Sequence, residues 1–108
     1  MFPALVDQRR HRQKDYVFGI REFGGAKAWP LDAFTNHRVI NDGMNGKPLV
    51  LVGQASKREV RAYERGSLKF KKTRNGLASN DGRKWRITEH ALVAGDGTQL
   101  PRVAGHIA

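Results

Sequence analysis

YVFGIREFGGAKAWPLDAFTNHRVIND, residues 16–42, holds two short apolar runs joined by Gly24-Gly25, then Trp29-Pro30-Leu31, then a polar knot of His37, Asn41 and Asp42. Tyr16, Phe18 and Ile20 alternate with Val17, Gly19 and Arg21. A period of two, rich in aromatic and β-branched residues, predicts a strand. Phe23-Gly24-Gly25 turns the chain. Ala26, Ala28 and Pro30 then share one face and Lys27, Trp29 and Leu31 the other. Proline has no N–H to give to a ladder, so it ends this second strand and completes a hairpin. Leu31 and Phe34, with Asp32 near the start, are spaced for one helical turn. Arg38-Val39-Ile40 is extended. Asn41 to Gly46 carries two glycines and two asparagines, which reach positive φ at least cost, so a tight connection is expected there.

Further strands are expected to lie against this start. Pro48 to Gly53 reads as a buried strand and Gln54 to Arg58 as a turn. Glu59 to Arg65 reads as a strand with Val60 and Ala62 on one face and Arg61, Tyr63 and Arg65 on the other, broken by Gly66. Leu68 and Phe70 alternate with Lys69 and Lys71, a half-buried strand with a basic outer face. Thr73 to Gly82 contains Asn75-Gly76, Ser79-Asn80 and Asp81-Gly82 and reads as a loop with a hairpin corner. Trp85 and Ile87, then Ala91 to Val93, then Gln99 to Val103 after the Gly95-Asp96-Gly97 turn, supply the remaining strands. The fold class is therefore mainly β: a single antiparallel domain over 16–108, a small barrel or sandwich with one or two short helical turns. Residues 1–15, with QRRHRQK at their centre, show no period and read as an irregular basic arm.

At 108 residues the chain is long enough for a core without staples. It has no cysteine, which excludes disulfides and thiol chemistry. Its longest apolar run, Leu49 to Val52, is far short of the ~18 residues of a helical membrane span. The first residues place an apolar run before the basic cluster, the reverse of a secretory signal, so compartment stays open. The net charge of +10 is uneven. Between Lys57 and Arg86 stand eleven Lys or Arg against Glu59, Glu64 and Asp81. Such a balance suits a polyanionic partner, nucleic acid included, and is also what a solvated face looks like.

Several segments resemble the bacterial domain-of-unknown-function family 3179 (DUF3179). They are Val17-Phe-Gly-Ile-Arg, Gly25-Ala-Lys-Ala-Trp-Pro-Leu, His37-Arg-Val-Ile-Asn-Asp, Gly46-Lys-Pro-Leu-Val-Leu-Val and Arg61-Ala-Tyr-Glu-Arg, with Gly82-Arg-Lys-Trp-Arg-Ile-Thr-Glu-His-Ala-Leu-Val, Leu100-Pro-Arg and Gly105-His106 later on. The resemblance covers about residues 16–106 and implies an uncharacterised β-rich domain. Many family members carry Cys-x-x-Cys where this chain has Gln54 and Lys57, and continue into an aromatic segment beyond the position of Ala108. The chain thus looks like a shortened or fragment-like member, and the family's export habit implies an extracytoplasmic parent.

His37, Asn41, Asp42 and Arg65 match polar positions of that family. A His and a carboxylate in proximity suit proton transfer, so His37 and Asp42 are the catalytic candidates of a hydrolase or metal-dependent reading. The alternative is structural: Asn41 and Asp42 bond the backbone of a turn, while His37 and Arg65 satisfy polar neighbours. His11, His90 and His106 are too far apart in sequence for zinc-type spacing, and neither Gly24-Gly25-Ala26 nor Gly95-Asp96-Gly97 is a phosphate loop, so no metal site and no cofactor are expected. For binding, the candidates are Arg61, Arg65, Lys69, Lys71, Lys72, Arg83, Lys84 and Trp85. Tyr63, Phe70 and Trp85 are interleaved with cations, as in grooves that stack single-stranded bases, and the competing role of Trp29 and Trp85 is in the core. The leading expectation is a non-catalytic binding or interaction module of open partner and oligomeric state, with nucleic-acid or polyanion binding through Lys57 to Arg86 second and an enzyme third.

Overall fold

The computed structural model describes residues 16–108, so the basic arm lies outside the described residues. The strands are β1 (Val17–Glu22), β2 (Gly25–Pro30), β3 (Arg38–Met44), β4 (Lys47–Gln54), β5 (Glu59–Glu64), β6 (Phe70–Lys72), β7 (Leu77–Ser79), β8 (Lys84–Ile87), β9 (Ala91–Ala94), β10 (Gln99–Val103) and β11 (His106–Ile107). Single 3₁₀ turns at Leu31–Phe34 and Ala55–Lys57 complete the regular structure of the described residues. The chain is mainly β and antiparallel, and the β3-β4-β5-β10-β9-β8-β7-β6 sheet curls into a nearly closed barrel.

The β1–β2 hairpin forms in the register its alternation requires, Phe18 opposite Trp29 and Ile20 opposite Lys27. Its turn is Phe23-Gly24, both at positive φ (55° and 75°), the primed geometry that matches strand twist. β11 adds to the free side of β1, giving a three-stranded sheet of order β11-β1-β2. Two residues of strand carry no periodicity, so β11 has no sequence signature.

Two expectations need correction. The connection placed over Asn41 to Gly46 is confined to Asn45-Gly46, and β3 runs on through Met44. Asn41 and Asp42 are therefore mid-strand residues on opposite faces, because register against Val50 and Leu49 holds the backbone extended. Likewise the Thr73 to Gly82 loop contains a strand, β7, which pairs with β6 and β8 and buries Leu77 and Ser79. Its three residues are too few for the alternation to stand out among the surrounding turn residues.

The apolar run in β4 is explained by two cores, one on each face. Leu49 and Leu51 join Phe18, Ile20, Trp29, Leu31 and Phe34 where the three-stranded sheet packs on the outside of the barrel. Val50 and Val52 join Tyr63, Phe70, Leu77, Trp85 and Leu92 inside it. A strand covered on both sides loses the polar alternation. β5 shows the same division, with Val60 and Ala62 in the first core and Tyr63 in the second.

Candidate functional site

The polar knot is a structural joint. β3 and β6 are the two ends of the curled sheet, and the Asn41 side chain bridges them like a missing strand residue. Its Nδ2 donates to Phe70 O at 2.8 Å, and its Oδ1 accepts from Phe70 N at 2.8 Å. Beside it the Arg65 guanidinium donates to three carbonyls, Leu49 (2.7 Å), Leu68 (2.9 Å) and Asp42 (2.9 Å), tying β3, β4 and the approach to β6. Lys72 Nζ donates to His37 O at 3.2 Å across the same seam.

The Asp42 carboxylate points to the other face of β3, into the hairpin. Oδ2 accepts from Trp29 Nε1 at 2.8 Å, and Oδ1 from Gly43 N at 2.8 Å and Lys27 Nζ at 3.2 Å. Burial pushes its pKa up, but the Trp29 indole, the Gly43 amide and Lys27 outweigh that and hold it below 3.8. A carboxylate of depressed pKa contributes stability that is present above its unfolded value and lost as pH falls through its folded one. Acid unfolding of the wild type should therefore include a loss below about pH 4 that Asp42→Asn lacks, as read by tryptophan fluorescence across a pH series. An identical acid limb in both proteins would exclude this role.

His37 and Asp42 do not meet as a proton-transfer pair. They are five residues apart along an extended segment, on the order of 16 Å. Asp42 faces Trp29, whereas His37 sits at the far end of the strand at φ 61°. Among the described residues, no group of three or more His, Asp or Glu is placed to hold a metal ion.

The binding candidates divide in the same way. Trp85 is 2% exposed, its indole N–H on Ser79 Oγ at 2.8 Å and its ring edge-on to Phe70. Tyr63 and Phe70 are also buried. The alternation that looked like aromatic platforms between cations is the inward and outward faces of barrel strands, so none of the three presents a ring to a base. Arg65 belongs to the seam. Arg83 lies over Trp85 and pairs with Asp81 at 2.8 Å and Asp96 at 3.5 Å.

Arg61 shares the face of β5 that carries the buried Tyr63, whereas several other cations gather outside the barrel. Lys71 lies opposite Ala78 and Ala78 opposite Lys84, a row across β6, β7 and β8 whose end residues are about 10 Å apart by strand spacing. Arg86 follows on the same face of β8, opposite Val93. Arg74, Lys84 and Arg86 border a cleft of about 400 Å³ between the β6–β7 turn and β8–β9, with no carboxylate in its lining. Among the described residues, Lys69, Lys71, Arg74, Lys84 and Arg86 form no ion pair. Arg74 and Arg86 lie within the basic Lys57 to Arg86 stretch expected from sequence but not among the individual residues singled out there. The signal for Arg86 was its two-residue offset from Lys84, whereas Arg74 sits in a turn where periodicity says nothing.

No protein-family model, curated protein or solved structure matches the chain. Among the described residues no helix is long and apolar enough to cross a membrane.

Proposed function

We propose that the chain is a non-catalytic β-rich binding module, a relative of DUF3179, that engages polyanions through the outer face of β6, β7 and β8. The relationship rests on the quoted motifs. The observation that carries the binding reading is the carboxylate-free cleft flanked by Arg74, Lys84 and Arg86 and continued by Lys71. Cations without internal partners keep their full attraction for an external anion, and releasing the polyanion's condensed counterions drives association. With the aromatic rings buried, recognition is by charge, so preference among polyanions follows charge density and not base identity.

Binding of labelled single-stranded and duplex oligonucleotides, with heparin as competitor, tests this across a salt series. Each phosphate contact contributes about −0.9 on duplex or −0.7 on single strands to the log-log salt slope. Lys71→Gln, Lys84→Gln and Arg86→Gln combined should make the slope shallower by about 2 to 3. An unchanged slope would remove this face from the interaction.

A further inference from the structure

One end of the barrel carries a second pocket, independent of the basic face. Its volume is about 320 Å³, within the range of small-ligand sites, which recur in the mouths of β-barrels. Val52 and Ile87 line its apolar part. Glu59, Arg61 and Tyr63 alternate onto one face of β5, so the charged pair stands above the buried tyrosine, and Val52 lies directly opposite Arg61. Beneath them the Tyr63 hydroxyl donates to Thr88 O at 2.6 Å. Lys57, Gln54, Gly53 and His37 complete the wall.

Two features mark this end as more than a gap in the packing. Glu59 and Arg61 line the same pocket yet form no ion pair with each other or with Lys57. Opposite charges on one strand face, about 7 Å apart along the chain, hold a separated dipole with room between them. The backbone around the mouth is also held in the left-handed region at three non-glycine residues, Asn36 (φ 64°), His37 (φ 61°) and Arg58 (φ 52°). Such conformations persist where surrounding structure imposes them and concentrate at ligand sites.

We infer that the barrel mouth between β4, β5 and β8 binds a small zwitterion of the apolar α-amino-acid class. Its carboxylate lies on Arg61 and Lys57, its ammonium on Glu59 and its side chain on Val52 and Ile87. The separated charges select against a simple anion, which would leave Glu59 repelled, and against a simple cation, which would face Arg61 and Lys57.

The test is an ¹⁵N-resolved NMR titration of the whole chain with L-leucine. The two controls are leucinamide, which lacks the carboxylate, and 4-methylpentanoate, which lacks the ammonium. The expected result is saturable shifts of the Gln54, Arg61 and Ile87 amides with leucine, and binding of both controls at least tenfold weaker. Glu59→Gln, at an exposed position, should fold as wild type, lose at least tenfold in leucine affinity and bind 4-methylpentanoate no worse. No saturable shift up to about 50 mM, far weaker than a specific site gives, would overturn the assignment, as would equal binding of the three compounds or unchanged leucine binding in Glu59→Gln.

Discussion

Replacing Arg65 by Gln is expected to lower the free energy of unfolding by about 2–4 kcal/mol, because three carbonyls lose a charged donor at once. For a domain of this size that corresponds to a fall in Tm of about 10 °C or more, measurable by circular dichroism. Lysine in its place should recover little. Its point charge reaches one carbonyl, whereas the planar guanidinium spans Leu49, Leu68 and Asp42 together. Asn41→Ala removes the paired bonds to Phe70 on the same seam and should cost about 1–3 kcal/mol. The two changes act on one closure, so a double-mutant cycle should show coupling of about 0.5 kcal/mol or more. Simple additivity would mean that the seam closes in two independent places.

The second large effect concerns Gly53. Phe34, folded back by the Leu31–Phe34 turn, lies so close to the β4 backbone that a Cβ at Gly53 would stand 2.6 Å from its ring and 2.9 Å from Val60 Cγ2. Both neighbours are buried, so neither has free space to move into. Gly53→Val should destabilise by about 3 kcal/mol or more, Gly53→Ala by somewhat less, through overpacking. Pairing Gly53→Ala with Phe34→Leu should restore part of the loss; if it does not, the strain lies in the backbone and not in this contact. Gly46, at φ 81° with no neighbour in reach of a Cβ, separates the two mechanisms: Gly46→Ala carries a purely conformational penalty of about 1 kcal/mol.

These two sites show where sequence reading reaches its limit. The hairpin of β1 and β2, the single turn at Leu31, the burial of β4 and the turn at Gly95-Asp96-Gly97 were legible, because each is written within a few residues as periodicity, an apolar run, proline placement or glycine content. The polar knot was legible as a cluster but not as a joint. Asn41 and Phe70 are separated by 29 positions, and Asn41 has the same composition signal whether it caps a turn or closes a barrel. The basic stretch was legible as charge. Its division into seam, ion-paired and unpaired cations was not.

The β class, the antiparallel pairing of short strands, the charge excess and the exclusion of thiol chemistry were readable from the chain alone. All of these follow from residue types and spacing along the chain. Tertiary contacts were needed to turn Trp85, Phe70 and Tyr63 inward, to set His37 and Asp42 apart, and to let Arg65 and Asn41 hold the barrel shut while Arg74, Lys84 and Arg86 share a cleft. Strand alternation specifies two faces without saying which one the sheet's curvature encloses, and that choice rests on contacts between residues distant in the chain.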